Sequence, residues 1–314
     1  MSMNILLALL VLVQAQDKPA PKRPTPTIAD YAYGSDSERQ KLDFWKASSD
    51  KPAPLILMIH GGGWVNGSKE SYSGAVIEPY LAAGFCVASI NYRYIAIAME
   101  QKVEPPVKAP LHDAARALQT LRSKAKEWNI DPKRVGATGG SAGACTSLWL
   151  AFHEDLADPA SADPVAREST RLQCAAVNGA QTSLDPKELR EWIVNSIYGG
   201  HAFGFAEKGR SRTEEFDLLL ANREKVMPWI REYSPIELVS KDDPPVYLIY
   251  PNQKKAPVAG EKEPDPTHSV IYGTKLAERL APLGVECVVS SPTGPKDDKY
   301  GSILKFFEAK LKTP

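Results

Sequence analysis

"RVGATGGSAGA", Arg134 to Ala144, is the stretch on which the reading of this chain turns. Its first half is a short strand pattern ending in paired glycines. Its second half opens a run of small and apolar residues that reads as a helix from about Ala142 to His153. Ser141 stands at the corner, between Gly139 and Gly143. A serine on such a corner sits on a sharp turn, and small residues are required two before and two after because the backbones crowd. Gly-x-Ser-x-Gly alone occurs by chance in many loops; the strand before it and the helix after it give it weight. Two blander readings compete. One is a tight Gly-rich turn without chemistry; the other is a phosphate-binding loop, which needs a Lys-Ser/Thr pair that is absent here.

Outward from this corner the chain alternates strands and helices. "LILMIH" (Leu55 to His60) is a continuous apolar run between Pro54 and Gly61, as a fully buried strand would be. A helical stretch to Ala83 and a second buried strand, "FCVASINY", follow. From Pro110 to Trp128, Leu111, Ala114, Ala115, Leu118, Leu121 and Ala125 fall at helical spacing. "CAAVNGA", "PPVYLIY" and "VECVVSS" predict three later strands, "SVIYGTKLAERLAPLG" a helix between the last two, and "SILKFFEAKL" a closing helix. This order predicts an α/β fold around a mainly parallel central sheet with helices on both faces. The front segment "TIADYAYG...QKLDFWKA" reads instead as an antiparallel edge hairpin. No strand is expected between about Lys187 and Tyr233, which reads as a helical insertion over the C-terminal edge of the sheet.

The second chemical motif is "HGGGW", His60 to Trp64, directly after a buried strand and upstream of Ser141. Consecutive glycines let backbone N–H groups point into a cavity, where they can meet a developing oxyanion. Together with "YG...QKLDFW", "INYRY", "HDAARALQTLR", "WNIDPKRVGATGGSAG" and "SPIELVSKDDPPV", these pieces cover most of Tyr31 to Val246. In that order they resemble an α/β-hydrolase of the hormone-sensitive-lipase-like carboxylesterase group, close to bacterial acetyl-xylan-esterase-like proteins. The resemblance implies a nucleophile at Ser141 and an oxyanion hole from the N–H groups of Gly62, Gly63 and Ala142. It also implies an ester substrate, short-acyl or carbohydrate. On their place in the chain, Trp64 and His201 are candidate substrate contacts. The family pattern then breaks twice. Where a Gly-Asp-x-Asp turn usually follows the strand "PPVYLIY", this chain has "PNQKK", with Asn252 and Lys254 in place of carboxylates. Where a Gly-His turn usually follows the last strand, it has "TGPKDD", with Pro295 about where the histidine would fall.

A neutral serine is a poor nucleophile without an adjacent base, so the five histidines decide the function. In the resembling family, the histidine heading the glycine loop, here His60, holds that loop in shape. His112, at the start of the long helix, reads as a surface or capping residue. His153 lies roughly 18 Å along the helix that Ser141 opens, too far to reach it. His201 belongs to "YGGHAFGF", a Gly-rich part of the insertion. His268 follows the loop "PNQKKAPVAGEKEPDPT", unusually long for such a connection and able to fold back over the serine. Asp265 beside it, or Asp185 after an earlier strand, could orient it. Two functions stay open on the residues: a serine ester hydrolase with His268 as a substituted base, and a catalytically inactive relative that binds a small ligand or a partner protein.

Composition narrows the rest. The chain has 314 residues, formal net charge +0 and 24% charged residues without a long basic run, so a nucleic-acid partner is not expected. No cofactor is expected, and His, Asp and Glu show no metal-ligand spacing such as His-Glu-x-x-His. "MSMNILLALLVLVQA" (1–15) fits a secretory signal ending in an A-x-A-like site, although its n-region lacks Lys and Arg. It is too short to predict a stable membrane span, and its removal implies a secreted or periplasmic protein. Residues 16–26, "QDKPAPKRPTP", read as an extended, mobile Pro-rich tether ahead of a single hydrolase-like domain over 27–314. Cys86, Cys145, Cys174 and Cys287 lie in apolar runs or a helix and read as small buried thiols.

Overall fold

The apolar run ahead of the glycine loop forms strand β3 (Ala53–Ile59), buried at every position. Leu55, Leu57 and Ile59 face one apolar layer, and Ile56 and Met58 face another. Burial on both faces explains why the run is continuous rather than alternating. Each such side chain contributes roughly 1.5–3 kcal/mol relative to exposure. The structure, a computed structural model, describes residues 21–294 and 299–312. The predicted signal segment 1–15 and Pro295 lie outside the described residues.

Around β3 the strands are β1 (Ile28–Ala32), β2 (Lys41–Trp45), β4 (Cys86–Ile90), β5 (Ile130–Gly140), β6 (Cys174–Asn178), β7 (Val246–Ile249) and β8 (Cys287–Ser290). They form one eight-stranded sheet in the order β1-β2-β4-β3-β5-β6-β7-β8. β1 and β2 form the expected antiparallel edge; the β4-β3, β3-β5, β5-β6, β6-β7 and β7-β8 pairs are parallel. The helices in chain order are α1 (Gly74–Ala82), α2 (Ile95–Glu100), α3 (Lys108–Ser123), α4 (Ala125–Trp128) and α5 (Ala142–Phe152). They continue with α6 (Pro186–Trp192), α7 (Arg212–Ala221), α8 (Arg223–Tyr233), α9 (Ile271–Leu280) and α10 (Ile303–Leu311). Buried residues of α3, α5 and α9 share one apolar layer, while Ile77 and Tyr80 of α1 and Phe306, Phe307 and Leu311 of α10 belong to the other.

The strand order reverses direction between β3 and β5. From β3 the chain moves outward to β4, then crosses back to β5 and proceeds the other way through β8. Loops leaving the C-terminal ends of β3 and β5 therefore diverge and open a crevice, the place where open α/β sheets bind ligands. The glycine loop leaves β3 there, and Ser141 leaves β5 there.

The tether expectation needs correction over its described part. Residues 21–26 are docked, not free. Arg23 donates to the buried Asp43 at 2.7 Å and lies over the Trp45 ring at 4.5 Å. The Trp45 indole N–H donates to the Pro24 carbonyl at 2.9 Å, and the Gly74 N–H donates to the Pro21 carbonyl at 3.2 Å. A buried carboxylate and an aromatic face give the arginine a seat that composition alone does not reveal.

Candidate active site

Ser141 caps α5 with φ 53° and ψ −123°, a left-handed φ that a non-glycine residue adopts only under strain. Its N–H donates to the Asn178 carbonyl at the end of β6 at 3.0 Å, which fixes the corner. The flanking glycines are there for lack of space. A Cβ on Gly139 would come within 2.5 Å of the Ile59 carbonyl oxygen, and one on Gly143 within 2.0 Å of the same atom. The start of α5 thus lies directly on the end of β3, and the glycine loop that follows β3 is brought beside the serine. A Cβ on Gly61 would lie 3.5 Å from the Ser141 Cβ.

Several groups brace that loop. His60 Nδ1 donates to the Gly61 carbonyl at 2.8 Å, and its ring stacks on Tyr92 with centroids 4.1 Å apart. Burial lowers its pKa to about 4, so the ring is neutral at physiological pH. The Tyr92 hydroxyl donates to the His60 carbonyl at 2.9 Å. The Trp64 indole N–H donates to Thr146 Oγ1 at 3.0 Å, and that hydroxyl donates to the Ala142 carbonyl at 2.8 Å. Trp64 therefore ties the glycine loop to the helix that Ser141 opens.

Opposite the serine stands His268. Its Nε2 is 3.0 Å from Ser141 Oγ, and its Nδ1 is 2.8 Å from Asp265 Oδ2. The other Asp265 oxygen accepts the N–H groups of Thr267 at 3.1 Å and His268 at 3.2 Å. This tight turn locks the carboxylate so that Oδ2 points at the ring. With Nδ1–H donating to Asp265, Nε2 is left as the acceptor for the serine hydroxyl. The ring packs on Gly179: a Cβ there would lie 3.3 Å from His268 Cδ2, and Gly179 has φ 58°.

The long β7–α9 loop carries both residues, and buried amides hold it. Gln253 Oε1 accepts the Val270 N–H at 2.9 Å, and Gln253 Nε2 donates to Glu263 Oε2 at 2.8 Å. Asn195, between α6 and α7, donates to the Glu263 carbonyl at 2.9 Å and accepts the Glu263 N–H at 3.0 Å. Gln181 Nε2 donates to the Thr267 carbonyl at 2.7 Å. A cavity of about 360 Å³ opens over the serine, and His60, Gly61, Tyr72, Asn178, Asn252 and His268 are among its walls.

Other expected site residues are placed elsewhere. Trp64 is fully buried and His201 is 1% exposed, so neither is a substrate contact. The His201 ring lies under the glycine loop, 3.6 Å from where a Cβ on Gly63 would be, and burial lowers its pKa to about 3. Asp185 is not beside His268: it caps α6 through the Lys187 N–H and pairs with Arg223 at 2.7 and 2.6 Å. His112 is half-buried and packs against Trp149, with ring centroids 5.3 Å apart. His153 is held by Glu232 at 3.0 Å, at the far end of α5. Among the described residues no group of three or more His, Cys, Asp or Glu could hold a metal ion. No helix among them is long and apolar enough to cross a membrane.

The BD-FAE family model matches residues 42–258, more than half of the chain. The chain belongs to the BD-FAE family. Its curated relatives include Esterase LipC of Mycobacterium tuberculosis (strain ATCC 25618 / H37Rv), 27% identical over 255 residues, which cover 75% of this chain and 56% of LipC. Esterase LipQ of the same organism is 24% identical over 250 residues, covering 77% of this chain and 50% of LipQ. The BD-FAE chain thus spans about half the length of these relatives. Its fold is that of a truncated carbohydrate esterase from gut microbiota (TM-score 0.67, 19% identity, 94% of this chain and 100% of that one). It is also that of Thermogutta terrifontis esterase 2 phosphonylated by sarin (TM-score 0.61, 19% identity, 93% of each chain). The match to the BD-FAE family stops short of Asp265 and His268, the two residues for which the common motifs gave no signal.

Proposed function

We propose that this protein is a carboxylic-ester hydrolase acting on short-acyl or carbohydrate esters, with Ser141 as nucleophile, His268 as general base and acid, and Asp265 as the orienting carboxylate. One observation carries the reading: the 3.0 Å contact between His268 Nε2 and Ser141 Oγ, backed by Asp265 at 2.8 Å. It favours catalysis over a binding-only relative, because a serine paired with an oriented imidazole is an activated nucleophile.

In the first step the Ser141 hydroxyl gives its proton to His268 Nε2 as Oγ bonds to the ester carbonyl carbon. The carbonyl oxygen takes up the negative charge and meets the N–H groups of Gly62, Gly63 and Ala142. The carbon–oxygen bond to the alcohol then breaks, and the departing oxygen takes the proton from His268. Water, deprotonated by the same nitrogen, attacks the acyl-serine ester; the carbon–Oγ bond then breaks, Ser141 Oγ takes the proton back from His268, and the acid is released. Asp265 keeps Nδ1 protonated and stabilises the transient imidazolium. Purified protein should hydrolyse ethyl and phenyl acetate, and Ser141→Ala should lose the activity while keeping the wild-type thermal transition. Equal turnover by Ser141→Ala would refute the assignment. The apolar segment 1–15 supports export, with mature chains beginning near Gln16; N-terminal sequencing of secreted material checks this.

A further inference from the structure

Gly74 opens α1, where helix propensity favours almost any other residue. The reason for the glycine lies outside the helix. A Cβ there would lie 2.3 Å from the Lys22 carbonyl oxygen and 3.0 Å from that of Pro21, which accepts the Gly74 N–H at 3.2 Å. The start of α1 is therefore shaped to receive residues 21–22 against its backbone. Arg23 extends the contact. One guanidinium nitrogen donates to Asp43 Oδ2 at 2.7 Å and the other to the Lys69 carbonyl at 2.9 Å. The Lys69 ammonium reaches the same Asp43 oxygen at 2.9 Å, and the Asp30 N–H donates to the other oxygen at 2.9 Å. Two cations thus converge on one buried carboxylate, and charge-assisted bonds of this kind are the strong ones.

This seat holds both ends of one short segment. Its start is pinned at the Lys69 carbonyl and its end at the Gly74 N–H. Between them run the 3₁₀ turn Lys69–Ser71 and then Tyr72, and Ser71 and Tyr72 are walls of the cavity over Ser141. The Tyr72 hydroxyl donates to the Ile59 carbonyl at 2.7 Å, the same oxygen that crowds Gly139 and Gly143 just ahead of the glycine loop. We propose that residues 21–24 are a strap that positions the Ser71–Tyr72 wall of the cavity, with Arg23 as its positioning residue. The effect on turnover rests on the hydrolase reading above; the docking does not. Cleavage near Gln16 leaves the strap on the mature chain, whereas a chain begun at Thr27 would lose it.

Gly74→Ala separates positioning from simple stability, because alanine favours the helix while its Cβ takes the place of the Lys22 carbonyl. Arg23→Lys keeps a cation for Asp43 but lacks the planar fork that holds the carboxylate and the Lys69 carbonyl together. Both variants should melt within a few degrees of wild type, since the cost falls on a local segment and not on the sheet. Amide exchange over residues 69–73 should quicken roughly tenfold or more in each. KM for phenyl acetate should rise about fivefold or more with kcat within about twofold, the pattern of a disturbed binding wall and not of a displaced base. Exchange at the wild-type rate in both variants overturns the strap. Faster exchange with unchanged KM overturns its role at the cavity. Failure of the hydrolase reading shows separately, as absence of phenyl acetate turnover in wild type, and amide exchange then still decides whether the strap holds the segment.

Discussion

Gly179 illustrates how single residues set this site. It has φ 58° and lies under the His268 ring, so an added methyl would be both strained and 3.3 Å from Cδ2. Gly179→Ala should lower kcat by about tenfold or more with a smaller effect on KM, because it displaces the proposed base from the serine. Its stability cost should be modest, about 1 kcal/mol for the left-handed backbone. Steady-state kinetics and a thermal melt check both parts; a change in KM alone would contradict the positioning role. Of the residues at this scale, Ser141 and the glycines around it are legible in the sequence, because their reason is local crowding at a corner. Gly179 is not, since its reason is a ring reaching it from 89 residues away.

At the scale of elements, the β7–α9 loop is the part that had to be placed correctly. Asn195→Ala removes both bonds that pin Glu263 to the helical insertion. Each buried backbone group left unpaired costs about 1–3 kcal/mol, but the cost falls on the loop and not on the sheet. The variant should therefore keep the wild-type global unfolding transition, lose kcat by about tenfold or more, and show faster amide exchange over residues 261–268. Unchanged exchange there would mean that the loop is held by other contacts. The strands and major helices could be read from the sequence because apolar runs and 3.6-residue spacing report directly on burial. The length of this loop hinted that it returns over the serine. Its anchors gave no signal, since Gln181, Gln253 and Asn195 are ordinary polar residues until the fold brings them to the loop backbone. The docked residues 21–26 were missed for the same reason: Pro and Lys suggest a tether, and the seat for Arg23 is made by Asp43 and Trp45.

For the molecule as a whole, three histidines are held neutral by burial: His60 and His112 at about 4, and His201 at about 3, against the ordinary 6.5 of a free imidazole. Below pH 6.5 the unfolded chain binds protons at these positions and the folded chain does not, so stability falls as pH falls. Their contribution is fully present above about pH 6.5 and is lost progressively down to pH 4 to 3. Glu70 and Glu286, each lowered to about 2 by their lysine neighbours against burial that opposes the shift, act in a separate window below pH 4.5. Between pH 6.5 and 5 the histidines therefore dominate, with a combined loss on the order of a few kcal/mol. The thermal midpoint should drop by several degrees over that interval. A flat profile would contradict the burial argument. In the proposed reaction a histidine carried by the β7–α9 loop does the work of the one missing after β8. The most direct test is the rate at which a fluorophosphonate labels Ser141, followed by intact mass, in wild type and His268→Ala. Wild type should label rapidly at a single site, and a folded His268→Ala protein should label at least about a hundredfold more slowly. Equal labelling rates in the two proteins would contradict the role of His268.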